Sequence, residues 1–148
     1  MTPQKSSPIH EIRRFGCYFY VMLYFAEKIQ KRQLSENQIL SLYQKLQTVK
    51  NWNGKLPVMT KNCRLNDPEV VTNLAVVELG GTDYIKQIGI EQGGAVALWG
   101  WVRKEEKPDF IVEEWETPYG SHFLCADYNP DPTIELKRLI KRIYYKRY

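Results

Sequence analysis

The sequence contains few of the residue types that bind transition metals or form disulfide bonds. Its 148 residues include only two histidines, His10 and His122, and three cysteines, Cys17, Cys63 and Cys125. An odd number of cysteines without short paired spacings predicts neither a disulfide framework nor a structural zinc site. We therefore expect no metal or other cofactor, and any reaction that needs an imidazole base must use one of the two histidines.

Long apolar runs are missing as well. No segment contains the roughly 18 apolar residues that a membrane-spanning helix requires. Residues 1–14 are polar and lack the apolar stretch of a secretory signal. These absences predict synthesis in the cytoplasm without a signal peptide. The chain has the length of one ordinary domain, so we expect a single domain over residues 1–148 with a polar leader at 1–14.

Positive charge is concentrated at the C-terminus. Residues 132–148 contain six basic residues and one acid, Glu135, whereas the whole chain carries a net charge of +4. Asp131-Pro132 resembles a helix start with proline at the first helical position, which predicts a basic C-terminal helix over 132–148. Such a helix would suit an anionic cell-wall or membrane surface, or it is simply a solvated face. A nucleic-acid partner is not expected, because the body of the chain has no basic stripe.

Apolar spacing predicts three helices in the first half of the chain. The first is marked by an apolar run without Gly or Pro and the second by a capping box of Ser35 and Gln38. The third has a proline at its first position and a Gly-Gly stop. The predicted helices cover residues 18–29, 36–49 and 68–78.

The second half predicts strands. Four short runs rich in β-branched and aromatic residues are separated by turn-forming segments, and they cover residues 84–90, 95–103, 110–117 and 122–127. Their spacing suits an antiparallel meander. The order of elements predicts an α+β fold, with N-terminal helices followed by an antiparallel sheet of about four strands and a C-terminal helix.

Cys17 and His122 together form a candidate catalytic pair. Cys17 lies where the first long helix should begin, and the helix dipole there favours the nucleophilic thiolate. His122 lies at the start of a predicted strand, just after a Gly-Ser turn. A thiol at a helix N-terminus and an imidazole at the mouth of a sheet suit thiol-based acyl transfer. Taken singly, each residue is better explained by a structural role in the core.

Three segments resemble the papain-like cysteine peptidase superfamily. They are Arg14-Phe-Gly-Cys17-Tyr-Phe-Tyr, Gly120-Ser-His122-Phe-Leu-Cys-Ala-Asp127 and Asn129-Pro-Asp-Pro132. The compact bacterial domains of the leader-peptidase-like, NlpC and CHAP types are the most similar, and within them a poorly characterised family carried on plasmids and prophages. The resemblance implies a papain-like fold with Cys17 as the nucleophile and His122 as its base.

The resemblance also implies a third polar residue that orients the imidazole. Asp127 would lie about 16 Å from His122 if residues 122–127 formed one extended strand, so it stays open for this role only if the strand breaks. Asp131 resembles the third-member motif of the leader-peptidase-like group, and it could equally be the N-cap of the last helix. The other residues left open for this role are Asn129, Glu114 and Glu116.

Glu11 departs from the pattern of the superfamily. It lies six residues before Cys17, where many papain-like enzymes have a glutamine whose amide helps to bind the oxyanion. A carboxylate cannot donate a hydrogen bond unless it is protonated. Either the Cys17 amide and another donor form the oxyanion hole, or activity is weak or absent.

The resemblance suggests a substrate class. Phage- and plasmid-borne members point to an endolysin-like peptidase or amidase that acts on the peptide part of peptidoglycan, released to the cell wall by a holin-type route. Trp101, Trp115 and Tyr119 lie on neighbouring predicted strands or their turn and are candidates for a substrate-binding wall, with core packing as the alternative. The alternative function is a catalytically weak or inactive papain-like binding module.

Overall fold

Helices occupy the first half of the chain and strands the second. A computed structural model describes residues 1–93, 99–102 (backbone only) and 106–148. Within these residues the α-helices are α1 (His10–Phe15), α2 (Cys17–Gln30), α3 (Glu36–Leu46) and α4 (Pro68–Glu78). The strands are β1 (Ile85–Gln92), β2 (Trp99–Val102), β3 (Phe110–Thr117), β4 (Gly120–Leu124) and β5 (Arg138–Arg147). The α+β class predicted from the sequence is confirmed.

Helix α2 forms the centre of the core. Most of its side chains are buried, and it packs against α4 on one side and against β4 on the other. The Thr72 hydroxyl of α4 donates to the Met22 carbonyl of α2 at 2.7 Å. Phe25 of α2 stacks on Phe110 of β3 with ring centroids 4.7 Å apart. The N-terminus of α2 is therefore fixed relative to the sheet, and Cys17 with it.

The five strands form one antiparallel sheet in the order β2-β1-β5-β3-β4. β1 pairs with β2, and β3 pairs with β4, as the predicted meander requires. However, β5 lies between β1 and β3, so β2 and β3 are not neighbours. The predicted meander is correct for the two hairpins and wrong for the connection between them. The rest of the predicted run at 95–103, residues 95–98 and 103, lies outside the described residues.

The predicted helix over 132–148 is wrong, because residues 138–147 form the central strand β5. Its alternate residues Ile143 and Tyr145 are buried, which is the period of a strand. No helix begins at Pro132. Instead, the Asp131 carboxylate closes a short turn by accepting the backbone N–H of Thr133 at 3.2 Å and its hydroxyl at 2.6 Å.

The basic residues of β5 are largely neutralised by carboxylates on neighbouring segments. The ion pairs are Arg138–Glu116 at 2.9 Å, Lys141–Glu114 at 3.4 Å, Arg142–Glu113 at 3.0 Å and Arg147–Asp83 at 2.7 Å. The expected contact with an anionic surface assumed a basic helix, and this helix does not form. The segment is a strand, and three of its cations pair with glutamates of the neighbouring strand β3.

The N-terminal residues are not a detached leader. A 3₁₀ turn at Gln4–Ser6 and helix α1 fold against the body, and Ile12 is fully buried. The buried Gln4 amide donates to the Ile12 carbonyl at 2.9 Å and to the Arg13 carbonyl at 3.3 Å. His10 is exposed. Over the described residues, none of the helices has the length and apolarity needed to cross a membrane.

Candidate active site

The position of Cys17 is set by a close approach between two helices. α1 ends at Phe15 and α2 begins at Cys17, with Gly16 alone between them. A Cβ atom on Gly16 would lie 2.5 Å from the Ile12 carbonyl oxygen, so only glycine fits at this junction. The half-buried Cys17 is therefore the first residue of α2, as the sequence predicts.

The expected thiolate is not the resting form of Cys17. Burial raises the pKa of the thiol above its ordinary value, although hydrogen bonds from the backbone of Phe123 and Tyr18 act to lower it. Desolvation thus outweighs the helix N-terminus. At neutral pH the sulfur carries its proton, and the attack on a substrate requires a base.

Cys17 and His122 line the same cavity. Their chain neighbours Tyr18 and Phe123 stack with ring centroids 3.9 Å apart and planes 6° apart, which ties the start of α2 to β4. The active-site cavity has a volume of about 90 Å³, and its lining includes Gln4. The described residues show no hydrogen bond between the thiol and the imidazole, whose side-chain partner is elsewhere. Cys17 and His122 therefore line one cavity, but their side chains are not hydrogen-bonded to each other.

The imidazole partner is Asn129. Nε2 of His122 lies 2.7 Å from Oδ1 of Asn129, and the ring is only 3% exposed. The same Oδ1 accepts the backbone N–H of Asp131 at 3.1 Å, which identifies this atom of the amide as the oxygen. Nε2 must then be the protonated nitrogen, so the network assigns the basic lone pair of the neutral ring to Nδ1.

The Asp131 carboxylate forms no hydrogen bond to the imidazole, although both residues line the same cavity. The carboxylate pairs with Lys5 at 3.2 Å and accepts from Thr133, so the prediction of Asp131 as the third catalytic residue is corrected. Burial opposes ionisation of Asp131, but these hydrogen bonds hold the pKa of its carboxyl below the ordinary value. Its contribution to the site is its backbone N–H, which fixes the amide of Asn129.

The remaining acidic candidates are also occupied elsewhere. Each is paired with a cation: Asp127 with Lys28, Glu114 with Lys141 and Glu116 with Arg138. The strand does break, because β4 ends at Leu124, but the Asp127 carboxylate pairs with Lys28. Glu11 lies 3.9 Å from Lys61 and is not among the residues that line the active-site cavity.

Two larger cavities continue from the active-site cavity. The wide cavity, of about 810 Å³, includes Cys17, and the side cavity, of about 520 Å³, includes Asp131. Both share Arg14 and Tyr119 with the active-site cavity. We call these three neighbouring cavities the groove, and Cys17 lines two of them.

The aromatic residues expected to form a substrate wall separate. Tyr119 is 90% exposed and lines all three cavities. Trp115 is not among the lining residues described for them, and its indole donates to Glu113 at 3.1 Å. Trp101 lies on β2, at the opposite edge of the sheet from β4. Four strand spacings, about 19 Å, separate those two edges, and the Trp101 side chain is outside the described residues. Of the three aromatic residues, Tyr119 is the one described as lining the cavities near Cys17.

Gln4 is a residue of the site that the sequence does not reveal. It lines the active-site cavity, is 3% exposed, and its Oε1 has no hydrogen-bond partner. Its position in a short polar segment gives no periodic signal. The sequence shows Gln4 merely as one of several polar residues before the candidate nucleophile Cys17, and this signal is too weak to single out Gln4.

The chemistry of the site must be interpreted from its own geometry. No family model, no curated protein and no solved structure matches this chain. Among the described side chains, no group of three His, Cys, Asp or Glu is placed to hold a metal ion. The arrangement does provide a thiol at a helix N-terminus and a buried imidazole of fixed tautomer, the parts needed for covalent acyl transfer.

Proposed function

We propose that the protein is a papain-like cysteine hydrolase, a peptidase or amidase in which Cys17 forms a thioester with the acyl part of the substrate. The observation that carries the proposal is the 2.7 Å hydrogen bond between His122 and Asn129. It leaves Nδ1 as the base in an imidazole that lines the same cavity as the thiol. A histidine with a purely structural role would need a buried partner as well, so the proposal depends equally on the thiol and the imidazole lining one cavity.

The proposed reaction uses the groups of the site in turn. Nδ1 of His122 takes the thiol proton while the sulfur attacks the substrate carbonyl, because the thiol is protonated at rest. The backbone amides at the N-terminus of α2 stabilise the resulting oxyanion. The imidazolium then protonates the leaving amine as the C–N bond breaks. Water, deprotonated by the same nitrogen, hydrolyses the thioester and restores the thiol of Cys17.

We propose the peptide of the bacterial cell wall as the substrate. The support is the sequence resemblance together with the extent of the groove, since cavities of about 810 and 520 Å³ adjoin the active-site cavity. A chain that passes Cys17 and continues in both directions fits this space better than a single small molecule. The step from fold to substrate rests on analogy.

A second candidate function is a peptide-binding module without catalysis. Two observations favour it: the pKa of the Cys17 thiol is raised, and no hydrogen bond joins this thiol to His122. In this case the groove would hold a peptide without cleaving it. Glu11 also favours the binding module, because it stands in the sequence where many papain-like enzymes have a glutamine, and a carboxylate cannot donate a hydrogen bond to an oxyanion unless it is protonated.

The two functions are separated by hydrolysis of purified cell walls. Wild-type protein should release free amino groups and reduce turbidity, and Cys17→Ala should do neither. Cys125→Ala is the matched control, because this buried thiol hydrogen-bonds to Asp127 away from the active-site cavity. Mass spectrometry of quenched reactions should show an acyl group on Cys17. Equal clearing by wild type and Cys17→Ala, or no clearing with no acylation, would reject the hydrolase.

A further inference from the structure

The wide cavity beside Cys17 carries unbalanced positive charge. Its charged lining consists of Arg14, Arg64, Lys141 and the single carboxylate of Glu114. Lys141 and Glu114 neutralise each other at 3.4 Å. The two arginines therefore remain as an excess of two positive charges in a concave surface next to the nucleophile.

Neither arginine has an acidic partner among the described residues. The guanidinium of Arg14 lies over the ring of Phe15, 5.4 Å from its centroid. Arg64 projects from a tight loop in which its backbone N–H bonds to the Thr60 hydroxyl at 3.1 Å, and its carbonyl accepts the Thr60 N–H at 3.0 Å. The loop holds the backbone of Arg64, and the residue is exposed.

The side cavity, in contrast, has as many carboxylates as cations. Lys5 pairs with Asp131 at 3.2 Å, and the other charged residues of the lining are Arg14 and Glu135, which form no ion pair with each other. The field along the groove is therefore asymmetric, positive only toward Arg64. Guanidinium groups without counter-ions in a concave site are suited to bind carboxylates, which they grip with two parallel hydrogen bonds.

We propose that the ligand of the groove is an acidic peptide, which carries a carboxylate in the wide cavity between Arg14 and Arg64. The proposal rests on the proposed function in one respect, that an amide of this peptide lies at Cys17. One residue of an extended peptide spans about 3.3 Å, so the carboxylate would belong to a residue close to the bond at Cys17. Specificity would come from charge on this side only.

The test measures binding by Cys17→Ala protein, which keeps the groove but cannot be acylated. Two end-blocked peptides that differ only by Glu or Gln are titrated by calorimetry at low and high salt. The Glu peptide should bind about tenfold more tightly for each guanidinium it engages, the size of one charge-assisted hydrogen bond. Added salt should reduce the difference.

Arg14→Gln and Arg64→Gln should each reduce this preference, and the double variant should abolish it. Lys137→Gln removes the same charge from an exposed residue outside these cavities and should leave the preference unchanged. Arg64→Lys keeps the positive charge but removes the planar guanidinium that can form two hydrogen bonds to one carboxylate. We therefore expect its preference for the Glu peptide to lie between those of the parent protein and Arg64→Gln. Circular dichroism checks that each variant is folded.

The outcomes separate this inference from the hydrolase. Hydrolysis of Glu and Gln peptides at equal rates by wild type would overturn the charge preference and leave the enzyme intact. Arginine-dependent binding by a protein that never hydrolyses either peptide would support the preference and reject the enzyme. Tighter binding of inorganic phosphate than of the Glu peptide, with the same arginine dependence, would overturn the acidic-peptide assignment.

Discussion

Replacing Asn129 by alanine removes the acceptor of two hydrogen bonds, one from Nε2 of His122 at 2.7 Å and one from the backbone N–H of Asp131 at 3.1 Å. The imidazole is 3% exposed, so water cannot readily replace the lost partner. Leaving a buried donor unsatisfied costs about 1–3 kcal/mol. For a chain of this size, the melting temperature should fall by about 2–4 °C per kcal/mol.

The effect on catalysis follows from the charge that His122 acquires. A hydrogen bond to an ionised group contributes about 1.5–3 kcal/mol, and here it would stabilise the imidazolium of the transition state. Its loss should lower kcat/KM about ten- to hundredfold. The variant Asn129→Asp keeps both acceptor contacts and adds a negative charge beside the ring. That charge favours the imidazolium, so the acid limb of the pH profile should move to higher pH while stability is largely kept.

Nitrogen NMR of the two-histidine protein provides a readout that needs no substrate. The ring of His122 should show a protonated Nε2 and a bare Nδ1 in the wild type, and a mixture of tautomers in Asn129→Ala. Asp131→Asn is the comparison, because the Asp131 side chain forms its hydrogen bonds with Lys5 and Thr133 rather than with the ring. Unchanged activity and tautomer in Asn129→Ala, with both lost in Asp131→Asn, would refute the assignment of Asn129.

Three further predictions concern the thiols and the helix junction. Because the pKa of Cys17 is raised, its alkylation by iodoacetamide should be slow at pH 7 and accelerate above pH 9, as mass spectrometry can measure; saturation at pH 6 would contradict this. Gly16→Ala places a Cβ 2.5 Å from the Ile12 carbonyl and should lower the free energy of unfolding by about 1–3 kcal/mol; an unchanged urea midpoint would exclude this clash. Burial raises the pKa of Cys63 and Cys125 to about 12 from 9.0, so the unfolded chain loses these protons first and the free energy of unfolding should fall as the pH rises from 9 toward 12. In urea titrations the Cys63→Ala variant should show a smaller fall than the wild type. The same fall in both proteins would contradict this prediction.

The elements predicted correctly have local signals. The capping box of Ser35 and Gln38 forms as expected, with both reciprocal hydrogen bonds present, and α3 begins directly after it. Strand β3 has the bounds expected from its β-branched run. Gly16 lies between the end of α1 and the start of α2. Cys17 could therefore be placed at a helix N-terminus from its neighbouring residues alone.

The features that were missed depend on contacts between distant segments. Residues 139–145 contain apolar side chains at spacings that suit a helix as well as a strand, and pairing with β1 and β3 decides the outcome. Asn129 and Asp131 are two residues apart with similar side chains. The bridge between Cys125 and Tyr128 turns the chain so that the first of them reaches His122. No local pattern distinguishes the two residues before that turn is known.

The raised thiol pKa has a consequence for both candidate functions. Moving a proton from a thiol to an imidazole in water costs about 3 kcal/mol from their ordinary pKa values. Burial raises the pKa of the Cys17 thiol, so giving up its proton is more costly than for a thiol in water. Opposite charges 4 Å apart recover about 4 kcal/mol at an effective dielectric constant of 20, and half of that at twice the distance. The thiolate–imidazolium pair is thus favourable only near contact, so the separation of Cys17 and His122 decides whether this groove cleaves a bound peptide or merely holds it.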